Sequence, residues 1–398
     1  MKFRRKTYKL GEIIDLYDNL RIPLSSMERE GREKKYPYYG ANGIIDYVDD
    51  YIFDGEYILL AEDGTVFIED KYPVLHLTQG KFWVNNHAHV FKSKNEIANQ
   101  NFLYYILKNT NIRAYVTGAV QLKINQRNLK KIKVTIPNLE VQKAIANILS
   151  SFDDKIEVNN KINKNLEELA QTLYKHWFVD FEFPDENGNP YKSSGGKMIE
   201  SELGLIPEGW EVKEVIDLFN FVGGSQPPKK EHIYENKEGY VRFIQNRDYS
   251  GNDNHITYIK ESPRNKLCDE TDIMMDKYGE AGKVRFGISG AYNVALAKID
   301  SKDVDKEYLR RYFEQSSIEN YILNASQAST RPSVNQTVFT NLKVAYPPTK
   351  LLNKFNEISR NIIIKTLLYR SENKKLAEMR DLLLPKLMSG EIRLPIEE

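Results

Sequence analysis

Two stretches of this sequence resemble catalytic motifs, and each lacks a feature that its chemistry requires. Residues 279–284 (GEAGKV) resemble a phosphate-binding loop, but no glycine stands five residues before Gly282 and no Ser or Thr follows Lys283. The loop therefore cannot complete the cradle for a nucleotide. Asp185 and the Glu211-Val-Lys213 triplet have the loose spacing of many nuclease sites. Because Asp185 lies in a Gly- and Asn-rich segment and Glu211 opens the next domain, a chance match explains this spacing better.

Amino methylation and metal binding find no better support. The Pro-Pro pairs at 227–228 and 347–348 do not follow the Asn or Asp of an amino-methylating motif. His87 and His89 could place two imidazoles on one face of a strand, but no third ligand or cysteine pair lies nearby, so packing or hydrogen bonding is the expected role. The sequence predicts a chain that binds and does not catalyse, with no metal or cofactor of its own.

The distribution of charge indicates what is bound. The net charge is +1, which by itself argues weakly against nucleic acid. However, residues 97–139 and 320–356 contain no Asp or Glu. Their cations are Lys108, Arg113, Lys123, Arg127, Lys130, Lys131 and Lys133 in the first window, and Arg331, Lys343, Lys350 and Lys354 in the second. Phosphate binding needs local positive charge, so the two windows favour contact with a polyanion; a solvated basic surface is the alternative.

The two windows belong to an internal repeat with an offset of about 200 residues. The segment 8–16 (YKLGEIIDL) returns at 210–218 (WEVKEVIDL). The segment 121–137 returns at 331–347, and each copy then runs into a long apolar-periodic segment. A tandem repeat predicts two similar lobes related by a pseudo-twofold axis. Such a molecule is suited to bind one elongated ligand at two places.

Length and composition agree with two domains in one chain. At 398 residues the chain is too long for one ordinary core. Cys268 is the only cysteine, which excludes an internal disulfide and fits a cytoplasmic protein. The basic N-terminus lacks the apolar segment of a signal peptide, and no apolar run reaches the ~20 residues of a membrane span.

The local patterns predict a mixed α+β fold. Residues 1–137 combine short β-branched and aromatic runs with turn clusters, and residues 207–347 repeat this domain. Residues 58–60 and 66–68 read as strands on either side of Asp63-Gly64, which predicts a hairpin. Residues 102–109 read as a short helix. The segment 181–206 is rich in Pro, Gly, Asn and Ser and predicts a surface linker, and 391–398 is a tail.

Each domain is followed by a long predicted helix, at 138–180 and at 348–390. The first begins with Asn138 as its N-cap and has about forty residues, roughly 60 Å. Apolar and polar residues recur at the 4-3 spacing of a coiled-coil seam. The seam positions are Ile145, Leu149, Phe152, Ile156, Asn159, Asn163, Leu166, Ala170, Leu173 and Trp177, and then Phe355, Ser359, Ile362, Thr366, Tyr369, Asn373, Leu376, Arg380, Leu383 and Leu387.

The centres of both seams are polar. If the two helices pair antiparallel with their midpoints together, Asn159 lies opposite Asn373 and Asn163 lies opposite Tyr369. Buried polar seam positions fix register at some cost in stability, so this layer would set the distance between the lobes. The alternative is that these Asn side chains face solvent or another subunit.

Three stretches of the sequence together identify a family. Residues 36–47 (YPYYGANGIIDY) with 53–64 (FDGEYILLAEDG) look like one class of target-recognition domain. Residues 134–183 look like a central spacer helix. Residues 206–210 (IPEGW) with 241–248 (VRFIQNRD) look like the opening of a second recognition domain of another class. In these features the chain resembles, over essentially its whole length, the specificity (S) subunits of type I restriction–modification systems.

The resemblance implies a non-catalytic scaffold that reads a split, asymmetric sequence in double-stranded DNA. Residues 1–137 and 207–347 would be its two target-recognition domains. Its partners would be two adenine-methylating modification subunits that carry S-adenosylmethionine and, in the larger complex, two restriction subunits that use ATP and Mg. A methylating partner must extrude an adenine beside each half-site, which explains its need for such a clamp. Residues 348–354 (PTKLLNK) lack the Ala- and Ile-rich start of the first helix. This difference puts equal docking of the two modification subunits in doubt.

Candidate DNA-contacting residues divide by chemistry. Phosphate contacts are predicted for Lys123, Arg127, Lys130, Arg331 and Lys343. Base-edge contacts are predicted for Gln121, Asn125, Asn335 and Gln336, because Asn and Gln suit adenine. Predicted turns also bring Tyr38, Tyr39, Asn42, Lys277, Tyr278 and Lys283 within reach of a duplex. The alternative for Asn125 and Asn335 is that both cap a turn or helix, since residues that read different half-sites ought to differ.

Docking of the partner subunits is predicted on the long helices, around Lys143, Lys155, Trp177 and Phe178. The alternative for Trp177 and Phe178 is the core, where an aromatic pair at a helix end more often lies. For the chain as a whole, the alternative function is a coiled-coil adaptor with two protein-binding domains, whose basic windows are incidental. Salt dependence separates the two, because DNA binding falls steeply with ionic strength.

Overall fold

The structure is a computed structural model that describes residues 4–118, 121–250, 256–302, 304–327, 333–392 and 394. It divides into two compact units. Unit 1 comprises Met1–Val158 with Glu372–Glu398, and unit 2 comprises Asn159–Ser371. None of the helices in the described residues is long and apolar enough to cross a membrane.

Unit 1 is built on two four-stranded sheets. The first has the order β2-β11-β6-β9 with antiparallel neighbours, and the second has the order β4-β3-β10-β5 with β3 and β10 parallel. The strands of unit 1 are β1 Lys6–Lys9, β2 Ile14–Leu16, β3 Tyr36–Gly40, β4 Gly43–Val48, β5 Phe53–Asp54, β6 Tyr57–Ala61, β7 Phe67–Ile68, β8 Tyr72–Pro73, β9 Leu75–Thr78, β10 Lys81–Val84, β11 Ala88–Ser93 and β12 Lys133–Ile136. Its short helices are α1 Leu10–Ile13, α2 Ser26–Arg29, α3 Gln100–Lys108 and α4 Gln126–Leu129.

Unit 2 repeats this plan. One sheet has the order β16-β23-β20-β21 and the other β18-β17-β22-β19, with β17 and β22 parallel. The strands are β13 Met198–Ser201, β14 Gly204–Pro207, β15 Glu211–Glu214, β16 Phe219–Gly223, β17 Tyr240–Ile244, β18 Tyr258–Lys260, β19 Leu267–Cys268, β20 Ile273–Asp276, β21 Val284–Arg285, β22 Gly290–Tyr292, β23 Leu296–Ser301 and β24 Lys343–Tyr346. Its short helices are α6 Lys306–Phe313 and α7 Ser316–Ser326. The predicted pair of similar mixed domains is confirmed.

The central strands explain why the sheets form at these places. In β6 all five residues (YILLA) are buried, and in β20 all four (IMMD) are buried. A strand that is buried on both faces needs a partner on each edge, and β6 has β9 and β11. The predicted hairpin between 58–60 and 66–68 was therefore wrong, since both edges of β6 are occupied and β7 pairs with β8 instead.

Two long helices follow the two domains. α5 spans Leu139–Tyr174, 36 residues, and α8 spans Thr349–Ser389, 41 residues. The boundary between the two units crosses α5 after Val158 and α8 before Glu372. The predicted N-cap is confirmed, because the Asn138 side chain accepts a hydrogen bond from the amide of Val141 at 3.0 Å.

Within unit 1 the helices run antiparallel. Asp153 of α5 pairs with Arg380 of α8, and Lys155, further along α5, pairs at 3.8 Å with Glu372, which comes earlier in α8. All twenty predicted seam positions are buried or half-buried. Asn159 is fully buried, which excludes solvent exposure for that side chain; its pairing with Asn373 stays a prediction.

Truncation of a seam residue tests the attachment of α5 to unit 1. Leu149 is fully buried in the same cluster as Leu384 and Leu387, so we expect Leu149→Ala to lower the free energy of unfolding by about 2–5 kcal/mol. Urea unfolding of the full chain measures this. Lys143→Ala, at an exposed position of the same helix, is the control and should change stability by less than about 0.5 kcal/mol. Equal changes in the free energy of unfolding for the two variants would contradict the packing of Leu149 in the seam.

Candidate nucleic-acid interface

Four segments of unit 1 meet where β3, β10 and β6 end, and a chain of hydrogen bonds joins them. The amide of Asn85 donates to the carbonyl of Tyr39 at 3.0 Å, and the Asn85 side chain accepts from the amide of His87 at 2.8 Å. The amide of Glu62 donates to the carbonyl of His87, and the amide of Ile124 donates to the carbonyl of Glu62, both at 2.8 Å. We call the residues 39–42, 62–64, 85–87 and 121–127 edge 1.

Unit 2 contains the same chain of hydrogen bonds. The amide of Asn293 donates to the carbonyl of Ile244 at 3.0 Å, and the Asn293 side chain accepts from the amide of Ala295 at 3.1 Å. The amide of Lys277 donates to the carbonyl of Ala295 at 2.8 Å, and the amide of Val334 donates to the carbonyl of Lys277 at 3.0 Å. Residues 244–247, 277–279, 293–295 and 333–336 form edge 2. The two edges are therefore equivalent, residue for residue.

Most of the sequence-predicted DNA-contacting residues lie on these edges. Edge 1 carries Tyr39, Asn42, Gln121, Lys123, Asn125 and Arg127, and edge 2 carries Lys277, Tyr278, Asn335 and Gln336. Of these, only Tyr39 and Lys277 are half-buried, and the others are exposed. Tertiary structure thus brings together segments that are far apart in sequence. The assignment of individual contacts to DNA stays a prediction.

Three other candidates lie elsewhere. Lys130 is exposed at the end of α4, where its carbonyl accepts from the amide of Gly11 at 3.1 Å. Lys283 pairs with Glu319 of α7 at 3.5 Å, and Lys343 of β24 pairs with Glu202. Arg331 lies outside the described residues. Of the cations in the acid-free windows, Lys130 and Lys343 therefore lie outside edges 1 and 2.

Three predicted site residues were assigned wrongly, because they belong to the core. Tyr38 lies in β3 and not in a turn; it is 1% exposed, and its hydroxyl accepts from the amide of Leu24 at 2.8 Å. Trp177 and Phe178 are buried at 7% and 5%, with ring centroids 6.1 Å and 4.9 Å from that of Phe355. None of these rings can reach a duplex or a partner surface. Lys143 and Lys155 are exposed on α5, as predicted for a docking surface.

The capping alternative is confirmed for both equivalent Asn residues. The Asn125 side chain accepts from the amide of Asn128 at 2.9 Å at the start of α4. The Asn335 side chain accepts from the amide of Thr337 at 3.0 Å at the start of a 3-10 turn. In each residue the side-chain amide oxygen accepts from a main-chain amide, so both residues stabilise the turns of the edges.

A buried ion pair between Asp18 and His89 stabilises edge 1. His89 is fully buried, with Nδ1 2.6 Å from the Asp18 carboxylate and Nε2 2.7 Å from the carbonyl of Ile124. A carbonyl can only accept, and an ionised carboxylate can only accept, so both ring nitrogens donate and the ring carries a positive charge. Gln126 also donates to Asp18, at 2.8 Å. Burial opposes ionisation of Asp18, but the hydrogen bond and charge of His89 outweigh it, and the pKa of Asp18 is lowered.

Glu62 extends this network to the surface. Its two carboxylate oxygens face Arg21 at 2.8 Å and Lys123 at 3.1 Å. Within the part of the chain that the structure describes, Asp18, Glu62 and His89 have metal-ligand spacing, with candidate ligand atoms within 4.8 Å of one another. Both nitrogens of His89 and both oxygens of Glu62 are engaged by these contacts, so the cluster forms an ion network that fixes residues 123–126.

Sequence reasoning missed several residues of the edges. They are Glu62, Asp63, Asn85 and His87 in edge 1, the last weighed only as a metal ligand, and Asn246, Arg247, Asn293 and Ala295 in edge 2. All of them lie outside the two basic windows, which is why charge alone did not find them. One signal was available, since residues 58–64 (ILLAEDG) and 273–279 (IMMDKYG) are a further copy of the repeat.

Comparison with known proteins identifies the family. The profile of the type I restriction modification DNA specificity domain matches residues 5–168 and again 207–365, well over half of the chain. The chain belongs to this family. Each match covers one of the two domains together with much of the long helix that follows it, which agrees with the repeat seen in the structure.

Relatives and solved structures agree with this assignment. The specificity subunit of the type I restriction enzyme MjaIX from Methanocaldococcus jannaschii is 27% identical over 346 residues, which cover 83% of this chain and 78% of that protein. The HindI specificity subunit from Haemophilus influenzae is 26% identical, covering 67% of this chain and 70% of that protein. The crystal structure of the type I restriction–modification S subunit from M. genitalium matches with a TM-score of 0.58 at 17% identity, covering 97% and 96% of the two chains. The last match supports the fold.

Removal of the buried carboxylate tests the ion network. The folded-state pKa of Asp18 is lowered, so its charge stabilises the fold above about pH 4 and this contribution is lost as the pH falls through the folded-state pKa. We expect Asp18→Asn to lower the free energy of unfolding at pH 7 by roughly 3 kcal/mol. As the pH is lowered, the free energy of unfolding of this variant should fall less than that of the unmodified chain.

The matched control for this variant is Asp15→Asn, since Asp15 is exposed in β2. Denaturant unfolding of both variants between pH 3 and pH 7 gives the comparison. If the two variants have the same free energy of unfolding across this range, the pair of Asp18 and His89 does not stabilise the fold, contrary to what its geometry indicates.

Proposed function

We propose that this family member is the non-catalytic, DNA-reading subunit of a type I restriction–modification complex. Each unit reads one half of a bipartite, asymmetric sequence through its edge. The observation that carries this proposal is that one scaffold of hydrogen bonds is built twice in the chain, while the exposed side chains on the two copies differ. Identical scaffolds explain a shared mode of binding, and different side chains explain an asymmetric target.

Partners and cofactors follow from this role. We propose two modification subunits that methylate adenine with S-adenosylmethionine and, in the larger complex, two restriction subunits that use ATP and Mg. The exposed Lys143 and Lys155 of α5 are proposed docking positions, without the aromatic pair that belongs to the core. The loop at 279–284 is not proposed to bind a nucleotide, because it lacks the first glycine and the hydroxyl residue of a phosphate-binding loop.

The decisive experiment is a map of N6-methyladenine in a host that co-expresses this chain with the methyltransferase encoded beside it. We expect a bipartite motif with one methylated adenine on each strand. Exchange of the domains 1–137 and 207–347 for those of another family member should then replace one half of the motif at a time. A stable complex that methylates nothing would contradict the proposal and favour a protein-binding adaptor.

A phosphate contact can be tested separately. Arg127 is exposed in α4 on edge 1, and Arg127→Ala should weaken binding to all DNA sequences alike and reduce the slope of log K against log salt by about 1. Fluorescence anisotropy of the complex at several salt concentrations measures both quantities. Lys192→Ala removes an exposed cation of the linker and should change neither. Equal salt slopes in all three proteins would rule out Arg127 as a phosphate contact.

A further inference from the structure

The loops that follow the central strands β6 and β20 occupy equivalent places in the two units. Glu62 and Lys277 each use the main-chain amide and carbonyl to bond the same two neighbouring segments, at 2.8 to 3.0 Å. Two residues later, Gly64 and Gly279 have φ of +74° and +80°, a backbone conformation that favours glycine. Since main-chain groups fix both loops, the side chains at 62, 63, 277 and 278 can vary without moving them.

The side chains at these equivalent places have opposite polarity. Unit 1 has Glu62 and Asp63, where unit 2 has Lys277 and Tyr278. The neighbouring position, before β11 or β23, is His87 in unit 1 and Ala295 in unit 2. On the same scaffold, unit 1 therefore carries two acids and a histidine where unit 2 carries a cation, a phenol and a methyl group.

In unit 1 the two carboxylates of the loop are half-buried hydrogen-bond acceptors, with the Glu62 and Asp63 side chains 13% and 15% exposed. Glu62 is engaged by Arg21 and Lys123. His87 Nδ1 lies 2.8 Å from Asp63 Oδ1, and the histidine side chain is 48% exposed. This oxygen of Asp63 accepts from the histidine ring, which holds the carboxylate in place. The second oxygen of Asp63 is an acceptor as well.

In unit 2 the residue equivalent to Glu62 is a donor. Lys277 is half-buried, and its ammonium group can only donate. Tyr278 is 43% exposed, and its carbonyl is held by the side-chain amide of Asn246 at 3.1 Å. Arg247, at the place equivalent to Asn42, is exposed and adds a second cation to edge 2. No acid occupies the described residues of edge 2, which are 244–247, 277–279, 293–295 and 333–336.

We propose that these loops are the principal base-discriminating positions of the chain and that they read bases of opposite hydrogen-bonding character. Asp63, held in place by His87, accepts from the exocyclic amino group of cytosine or adenine in one half-site. Lys277, with Tyr278 beside it, donates to the O6 and N7 acceptors of guanine in the other. The inference rests on the proposed DNA-reading function and adds to it which loop discriminates in each unit and which bases it accepts.

Two variants, one in each unit, test the proposal by methylation mapping of the complex. Asp63→Lys should change one position of the half-site assigned to unit 1 from an amino-bearing base to guanine, and leave the other half-site unchanged. Lys277→Met keeps an aliphatic side chain of similar length and should relax one guanine of the half-site assigned to unit 2. In each case we expect a loss of about tenfold or more in discrimination at that position, as for the loss of one good base contact.

Controls separate base reading from charge and from folding. Glu33→Lys makes the same change in charge as Asp63→Lys at an exposed position of unit 1 and should leave the motif intact. If Asp63→Lys does not fold, Asp63→Asn preserves the shape of the side chain and adds a donor, so it should broaden the same single position.

The possible failures are distinguishable. If the unmodified chain directs bipartite methylation but both variants retain its motif, the loops do not discriminate and the inference is wrong, while the proposed function stands. A motif that changes in both half-sites with one variant also overturns it. If the unmodified chain directs no methylation in a stable complex, the proposed function itself fails.

Discussion

The structure depends on one repeated constraint, which is the chain of hydrogen bonds that ties together the ends of β3, β10 and β6 and the segment before α4. Its counterpart joins the ends of β17, β22 and β20 and the segment before β24. Apart from the Asn85 and Asn293 side chains, every donor and acceptor in these chains is a main-chain group. A buried main-chain group must find a partner whatever its side chain is. The scaffold can therefore stay constant while the exposed side chains diverge, which is what a protein that reads two different half-sites requires.

Behind this shared scaffold, the two units stabilise their edges differently. Unit 1 uses the buried pair of Asp18 and His89, in which the carboxylate is held ionised. In unit 2 the buried carboxylate at the end of β20 is Asp276, which bonds Arg285 at 2.9 Å. Burial raises the pKa of Asp276 to about 6 in spite of this cation. Edge 1 thus contains acids whose charge is matched by cations, whereas edge 2 carries the half-buried Lys277 and the exposed Arg247.

The attachment of each domain to the long helices also differs in chemistry. In unit 1, Tyr105 of α3 donates to Asp153 of α5 at 2.5 Å, and Asp153 pairs with Arg380 of α8. In unit 2 the helix that follows β23, α6, carries the fully buried Arg311, which lies 3.4 Å from Glu167 of α5 and 2.7 Å from Glu314. Burial raises the pKa of Glu314 to about 7 even beside this guanidinium. The domains share a fold and join the helices through unlike side chains.

The sequence by itself determined the repeat, the mixed domains, the two long helices with their seam, and the family. These features are written in spacing and periodicity, which are local properties of the chain. It placed Lys123, Asn125, Lys277 and Asn335 on segments that the structure brings to the edges. Only the tertiary structure decided that Tyr38, Trp177 and Phe178 are core, that β6 pairs with β9 and β11, and that Glu62, Asp63 and His87 lie on the same edge as Lys123. Strand partners and burial depend on contacts between residues far apart in the chain, and an aromatic side chain gives no local sign of whether it packs inward or projects outward.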